Sequence, residues 1–372
     1  ILIFLVINSG TLALTSSSFL ISQSAFNNYD YSSTLFKFNM DKVTLSQDSL
    51  LDKAIAAIIT EDLVLALKIA DKILSENKNN PEALIIKTTS LYKDKKFKKP
   101  ENYGRKFGEH FSKQSKQDRQ YERFHSWNYS DKYDEVMATY HQQIYAIDVA
   151  VGMIREALQK SGTDKNTVII YTSDNGFFCG SHGYGSKVLP YEESSRVPLV
   201  IYDPRHANSG KKLRTSALTG NIDFAPTILT LAGLPVPQNM DGKDLMSVYD
   251  DPKSSLHHSL PLINVWGKEP THALGVVTEE MKYLYWGYGR DGFKPTNELY
   301  DLKKDPLELT NQFSSSEYTK ARKKMQKLYD QHLAHWKESA VAYNDYQKFG
   351  ILFDRKIKWD EKVKRVKSFL SK

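Results

Sequence analysis

A loop rich in glycine and polar residues carries the side chains of this sequence that could do chemistry. Asp174 and Asn175 follow, after two intervening residues, the apolar run of strand length at residues 167–171. In open α/β sheets, ligands bind beyond the carboxyl ends of the strands, and this pair falls at such an end. Adjacent carboxylate and amide oxygens suit a hard divalent cation. A turn with a solvated Asp-Asn pair is the structural alternative.

Two further side chains follow in the same loop. His182 and Lys187 offer a proton donor and a fixed cation, which would suit an anionic substrate. Glycines let a backbone approach a ligand closely or take a positive φ, and this loop has four: Gly176, Gly180, Gly183 and Gly185. Residue types alone therefore point to a site for a cation and an anion.

The elements around the loop predict an α/β fold. Residues 167–171 and 197–202 are continuous apolar runs, as in strands buried on both faces of a parallel sheet. A helix that ends near Ser161 is predicted before them by apolar residues at helical spacing: Ile144, Ile147, Val151, Ile154 and Leu158. Residues 273–277 and 282–286 flank a short polar turn, which indicates a hairpin. We expect a sheet flanked by helices and a small antiparallel C-terminal subdomain.

Several ordered motifs resemble those of the type I sulfatases of the alkaline phosphatase superfamily. The family pattern is Ser-Asp-Asn-Gly, Gly-x-His-Gly, a lysine, and Tyr-Glu-x-Ser-x-Arg-Val-Pro-Leu. In this chain the matching segments are 173–176, 180–183, Lys187 and 191–199. Further matches follow at 221–229, 240–243 and 299–311, and one precedes the loop at 140–158. The resemblance covers about residues 118–312 and implies a partial sulfatase-like sheet.

The resemblance implies a role for each matching residue. Asp174 and Asn175 look like the second pair of ligands to a Ca2+ or Mg2+ ion. Lys187 resembles the lysine that binds the sulfate and offsets the charge developing on the leaving oxygen. His182 is expected near the site as a catalytic or substrate-binding residue, or alternatively as a histidine that orders the loop. Asp223 fits a helix N-cap. The implied activity is hydrolysis of sulfate esters, and the implied ligand is a sulfated small molecule or glycan.

The nucleophile of the family has no counterpart in this sequence. Related sulfatases use a C/S-x-P-x-R motif whose Cys or Ser is oxidised to formylglycine, and the single cysteine, Cys179, lies in the glycine-rich loop instead. The Asp-Asp pair that supplies the other metal ligands is also missing, although such ions want six or more oxygens. We therefore expect half of a sulfatase site, inactive alone. A truncated or mis-joined sulfatase, a non-catalytic binding protein, and a phosphate or phosphonate ester hydrolase remain as interpretations.

The remaining segments have other patterns. Residues 1–20 begin with an apolar run too short to span a membrane, which fits an export signal or a buried strand. From this run and the family we expect a periplasmic or secreted protein. Residues 21–46 are predicted to be a linker. Residues 47–97 resemble a tetratricopeptide repeat, with Ala66 and Ala70 where paired helices touch, or form a plain helical hairpin that could bind a protein partner.

The C-terminal part of the chain has its own predicted organisation and most of the surplus positive charge. We expect the α/β core at 118–252, the antiparallel subdomain at 253–317 and a basic helical tail at 318–372. The 372 residues have a formal net charge of +7, but residues 320–372 hold 15 basic and 6 acidic side chains. The surplus therefore belongs to the tail, and no nucleic-acid binding is expected. Aromatic residues of the tail could dock on the body or line a substrate groove, while a solvated amphipathic helix is the commoner outcome.

Overall fold

The computed structural model describes residues 2–7, 50–78, 80–341 and 343–370. They divide into two compact units. The first contains the described residues of 2–7, 97–136 and 161–370, and the second contains those of 50–96 and 137–160.

The α-helices are α1 Leu50–Ile59, α2 Leu63–Glu76, α3 Pro81–Tyr92, α4 Arg119–Ser126, α5 Tyr133–Ser161, α6 Glu192–Ser195, α7 Phe224–Leu231, α8 Met246–Asp250, α9 Thr319–Ser339, α10 Phe349–Leu352 and α11 Trp359–Leu370. The strands are β1 Leu2–Ile7, β2 Thr167–Thr172, β3 Leu199–Tyr202, β4 Leu260–Asn264, β5 Ala273–Val277, β6 Met281–Trp286 and β7 Thr296–Asp301. Short 3-10 helices lie at Arg105–Gly108, Ser115–Gln117, Asp164–Asn166, Asn221–Asp223, Glu269–Thr271 and Tyr343–Lys348.

The second unit is built on the helices α1, α2 and α3. Asp62 caps α2 by accepting a hydrogen bond from Leu65 N at 3.0 Å, because short polar side chains satisfy the free N–H groups of a first turn. The apolar core consists of small residues with one larger one: Ala54, Ala57, Ala66, Ala70 and Ile86. The predicted helices are confirmed, and Ala66 and Ala70 are buried where the helices meet.

The sheet that leads to the glycine-rich loop has three strands in the order β1-β2-β3, and both pairings are antiparallel. The expected parallel pairing of residues 167–171 and 197–202 is therefore wrong. Residues 173–198 between β2 and β3 are numerous enough for the crossover that a parallel pair needs, but they form the glycine-rich loop and the four-residue α6 and not a crossover helix. β3 is also exposed along one face, with Val200 58% exposed.

One face of β2 packs on the helices that follow the loop. Val168 and Ile170 are fully buried in a cluster with side chains from α7, α8 and their flanking loops: Phe224, Leu231, Leu245, Val248 and Leu256. The helix predicted to end near Ser161 is confirmed as α5. These contacts fix β2, and with it the loop that begins at residue 173.

The N-terminal apolar run forms strand β1, so the structure shows the strand alternative for residues 2–7. The rest of the predicted 1–20 segment and the predicted linker 21–46 lie outside the described residues. In the part of the chain that the structure describes, every helix is too short or too polar to cross a bilayer.

The second sheet is antiparallel in the order β4-β5-β6-β7. The predicted hairpin is confirmed as β5 and β6, and Thr278 N donates to Met281 O at 2.8 Å across its turn. Helix α9 covers one face of this sheet with three buried side chains: Met325, Tyr329 and Leu333. Phe349 and Phe353 join the same cluster. The tail therefore docks on the body, and the expectation of a solvated amphipathic helix is wrong.

Candidate functional site

Three of the four predicted site residues meet at the end of β2. Lys187 Nζ donates to Asn175 Oδ1 at 2.8 Å and lies 3.7 Å from Asp174 Oδ2. The Asp174 side chain is 61% exposed and that of Lys187 43% exposed, so both groups face solvent. Two oxygens for a hard cation and one fixed ammonium for an anion thus lie side by side.

The backbone under this cluster is held by a side chain that sequence reasoning placed only in a motif. Asn221 Nδ2 donates to Asp174 O at 3.0 Å and to Ser173 O at 3.4 Å. Ser173 Oγ donates to Asn175 O at 2.8 Å. The hydrogen bonds from Asn221 hold the backbone carbonyls of Ser173 and Asp174. They therefore set the direction in which the Asp174 and Asn175 side chains point.

Asp223 orders the turn that presents Asn221. This buried carboxylate accepts hydrogen bonds from Gly220 N and Lys243 N, each at 2.8 Å, and lies 2.7 Å from His257 Nε2. Asp223 directly precedes α7, as an N-cap would, but it makes no capping hydrogen bond to that helix. Its carboxylate stabilises the preceding 3-10 turn instead, so the predicted capping role is corrected.

Lys187 lies between two residues in the left-handed backbone region. Ser186 has φ +66° and Val188 φ +95°, conformations that cost roughly 1–3 kcal/mol for such residues and persist where the surroundings hold them. Here Phe178 N donates to Ser186 O at 2.8 Å, and Arg123 Nη1 donates to Ser186 Oγ at 3.0 Å. The position of Lys187 is therefore fixed by its neighbours.

Gly176 closes the loop on itself. Its N–H donates to Ser194 O at 2.8 Å, and a Cβ at this position would lie only 2.1 Å from Glu193 O. A glycine was predicted to allow close approach by a ligand. At Gly176 the approaching group is the protein's own backbone, so the two ends of the loop are held together.

His182 lies in the interior, and its ring is fully buried. Nδ1 is 3.0 Å from Phe107 O, which can only accept, so Nδ1 carries a proton. Nε2 is 2.9 Å from Asn102 Nδ2 and 3.5 Å from Glu193 Oε1. Burial alone would lower the pKa of His182, but the Glu193 carboxylate raises it above its ordinary value. These contacts lead toward residues 102–107 and favour the alternative that His182 orders the loop.

A second group of potential metal ligands surrounds this histidine. Among the described residues, His182, Glu193 and Glu308 bring one ligand atom each within 4.8 Å of one another. Lys282 Nζ already lies 2.9 Å from Glu308 Oε1 and 2.7 Å from Glu192 Oε1. Burial raises the pKa of Glu308 to about 7, although Lys282 opposes this shift. Lys282 therefore supplies the positive charge beside Glu308 and Glu192, and the group fits a structural network.

This buried network ties the site loop to the C-terminal sheet. Lys282 is on β6, and Glu308 follows β7 and accepts a hydrogen bond from Glu192 N at 2.8 Å. Glu193 and Glu308 stand in motifs that the sequence shows. Asn102 and Lys282 were missed because each has a partner far along the chain: His182 lies 80 residues after Asn102, and Glu192 lies still further before Lys282, separations that no local pattern reports.

Two family models match the chain. The sulfatase model matches residues 19–234, which is more than half of the 372 residues. The model described as N-sulphoglucosamine sulphohydrolase, C-terminal, matches residues 180–335. The chain belongs to the sulfatase family. The matches overlap on the site loop and extend beyond 118–312, so the helical segment 47–97 lies within the sulfatase match.

Curated sulfatases are similar over part of their length. An N-acetylglucosamine-6-O-sulfatase of Bacteroides thetaiotaomicron is 29% identical over 300 residues, covering 77% of this chain and 50% of the relative. An arylsulfatase of Clostridium perfringens is 32% identical over 182 residues, covering 49% of this chain and 36% of the relative. The chain thus spans half or less of the length of these sulfatases.

Solved structures share the α/β sulfatase fold. A protein solved in complex with its substrate D-glucosamine-2-N,6-O-disulfate is 31% identical, with a TM-score of 0.51 over 57% of this chain and 43% of that chain. A 2-O GAG sulfatase has a TM-score of 0.54 at 23% identity, over 70% of this chain and 58% of that chain. The expected α/β sulfatase-like fold is confirmed.

Proposed function

We propose that this chain supplies the cation-binding and sulfate-binding half of a site that hydrolyses sulfate esters. The observation that carries the proposal is the contact of 2.8 Å between Lys187 Nζ and Asn175 Oδ1, beside the Asp174 carboxylate. In a sulfatase family member, the meeting of these three groups at the carboxyl end of a strand supports the roles that the motifs imply. In this proposal His182 supports the site indirectly, because its buried contacts hold the loop in place.

The donor set fits a hard divalent cation in part. Asp174 and Asn175 would hold Ca2+ or Mg2+ with two side-chain oxygens, and further oxygens are needed to reach six. When bound, such an ion polarises a sulfate oxygen as a Lewis acid. Lys187 binds the sulfate as a point charge and stabilises negative charge on the departing oxygen. Asn175 Oδ1 keeps the ammonium in place, so little reorganisation is needed when that charge develops.

Binding without turnover is the expected behaviour of the 372-residue chain. The C/S-x-P-x-R segment that becomes formylglycine has no counterpart in its sequence, so the residues of this chain provide positioning and charge only. The substrate class that we propose is a sulfated sugar, because relatives are named for sulfated glucosamine. A phosphate or phosphonate ester is the alternative within the superfamily.

Calorimetric titration with N-acetylglucosamine 6-sulfate in Ca2+ buffer tests the proposal. Lys187→Ala should weaken binding about tenfold, which corresponds to about 1.4 kcal/mol for one lost charge-assisted contact. Lys211→Ala is the matched control, because Lys211 Nζ also donates to an asparagine oxygen, Asn208 Oδ1, at 3.0 Å. Equal affinities for Lys187→Ala and the wild type would contradict the proposal. Tighter binding of the matching phosphate ester would favour the alternative.

We also propose that the tetratricopeptide-like helices bind a protein partner and that the protein is exported. The helical unit leaves large apolar side chains exposed, with Val64 81% exposed, beside Ile59, Leu65 and Ile85. Export accords with the family. Fractionation of the native cell tests the location. Crosslinking through a photoreactive residue at position 64 tests for a partner, and no crosslink in the cell would contradict that role.

A further inference from the structure

An exposed aromatic platform borders the site loop. Trp127 directly follows α4 and is 41% exposed. Its ring is stacked on Phe177, with 6.3 Å between ring centroids and 17° between planes. The guanidinium carbon of Arg123 lies 4.4 Å from the centroid of the Trp127 ring. A stacked pair of aromatic rings, partly open to water and beside a cation, offers both an apolar surface and polar donors to a ligand.

The platform is attached to both sides of the proposed site. Phe177 is two residues after Asn175, so their Cα atoms are at most about 7.6 Å apart. On the other side of the loop, Arg123 Nη1 donates to Ser186 Oγ at 3.0 Å, and Ser186 is the residue before Lys187. Arg123 therefore contacts both the Trp127 ring and the residue before Lys187, which places the platform next to the loop that carries Lys187.

The side chains on this platform match the two sides of a sugar. The part of the Trp127 and Phe177 rings that Arg123 leaves uncovered would meet the weakly positive C–H groups on one face of a pyranose. The guanidinium of Arg123 offers N–H donors in a fixed plane for hydroxyl or sulfate oxygens at the edge of that pyranose. Arg123 Nη1 already donates to Gln120 Oε1, at 2.8 Å, and to Ser186 Oγ. The other nitrogen atoms of the guanidinium would be the donors to the ligand. An aryl group would use the stacking face alone.

We propose that Trp127, supported by Phe177 and Arg123, forms a subsite for the sugar ring that carries or neighbours the sulfate. This inference rests on the proposed function of Lys187 and adds the part of the substrate that Lys187 does not bind. Trp127 therefore contributes to the recognition of the sugar and leaves the affinity for the sulfate group alone unchanged.

Titration calorimetry of the full chain with three probes tests the subsite: N-acetylglucosamine 6-sulfate, inorganic sulfate and 4-nitrophenyl sulfate. Trp127→Ala should bind the sulfated sugar five- to tenfold more weakly and inorganic sulfate as the wild type does. Trp127→Phe should retain most of the affinity for the sugar. Trp266→Ala is the matched control, since Trp266 is 66% exposed and should affect neither probe. Circular dichroism confirms that each variant is folded.

The outcomes separate this inference from the proposed function. Unchanged binding of the sugar by Trp127→Ala, or absence of binding by the wild type, would overturn the subsite. An equal loss for sugar and inorganic sulfate would also overturn it, because Trp127 would then act by holding the loop. A larger loss for 4-nitrophenyl sulfate than for the sugar would assign the platform to aromatic esters. If Lys187→Ala leaves both affinities unchanged while Trp127→Ala weakens the sugar, the subsite stands and the proposed role of Lys187 fails.

Discussion

Replacement of Lys282 by methionine tests whether the buried ion network holds the site loop. Met has a similar length without the charge, so the change leaves Glu192 and Glu308 facing each other without a cation. Lys282 and Glu308 are fully buried, and the two ion pairs have lengths of 2.9 and 2.7 Å. Removing one partner of such a buried pair costs about 3–5 kcal/mol, since an uncompensated charge remains in the interior. We expect the free energy of unfolding to fall by that amount near pH 8.

The pH dependence sharpens this expectation. The pKa of Glu308 is already raised to about 7 by burial, and loss of Lys282 raises it further. At about pH 5 the carboxyl therefore takes a proton and becomes neutral, so the cost of Lys282→Met should shrink as the pH falls. The double variant with Glu308→Gln should also be more stable than Lys282→Met alone at pH 8. It removes one of the two carboxylate charges that are left without Lys282.

Urea unfolding followed by tryptophan fluorescence measures these differences. Lys303→Met is the matched control, because Lys303 pairs with Glu280 at the surface of the same sheet and its side chain is 65% exposed. Exposed pairs contribute about 0–1 kcal/mol. If Lys282→Met destabilises the chain no more than Lys303→Met does, or if Glu308→Gln restores nothing, the network does not hold the loop by charge compensation and the reasoning is refuted.

Three further perturbations probe the site and its supports. Asn221→Ala frees the backbone carbonyl of Asp174 and should weaken Ca2+ binding several-fold in calorimetric titration; Asn208→Ala, which removes a similar pair of backbone contacts elsewhere, should not. Gly176→Ala places a methyl group against a backbone oxygen at 2.1 Å, so it should lower the melting temperature and abolish sulfate binding together. Lys362 is buried, which lowers its pKa to about 8. The unfolded chain therefore holds the proton more tightly from about pH 8 to 10, and stability should rise across that interval. Lys362→Met should remove this rise in urea titrations.

The outcomes that contradict these expectations are distinct. Equal Ca2+ affinities for the two asparagine variants would show that the contact with Asp174 does not orient the cation ligands. A Gly176→Ala chain that melts and binds normally would mean that the loop relaxes freely at that point. A stability that falls between about pH 8 and 10 in the wild type, and equally in Lys362→Met, would assign the titration to other groups.

The sequence was sufficient to predict that three of the candidate residues meet, because they are close together along the chain. Asp174, Asn175 and Lys187 belong to one loop, so a motif was sufficient to predict that they meet. The burial of His182 could not be predicted in this way, since Asn102 and Phe107 lie 80 and 75 residues earlier, in a segment without a recognisable pattern. The platform residue Trp127 was missed for the same reason.

Strand direction and the docking of the tail were the main errors of fold. An apolar run indicates that a strand is buried, but it does not report the direction of its neighbours. Residues 173–198 fold into the site loop and not into a crossover helix, and β3 returns antiparallel to β2. In the tail, the numbers of basic and acidic residues did not show that the apolar residues of the helix lie on one side. Met325, Tyr329 and Leu333 recur every four residues along one side of α9 and are buried, whereas Lys320, Lys323, Lys324 and Lys327 lie on the other sides.

The covering of the second sheet by α9 and α10 has a practical consequence for handling this protein. The C-terminal family match ends at residue 335, before Phe349 and Phe353. A fragment that stops at that point would lose both aromatic side chains from a shared cluster and uncover Tyr283 and Tyr285. Contiguous apolar surface of this kind promotes self-association. Removal of residues 336–372 should therefore yield a species that precipitates on concentration, even though every residue of the glycine-rich loop is intact.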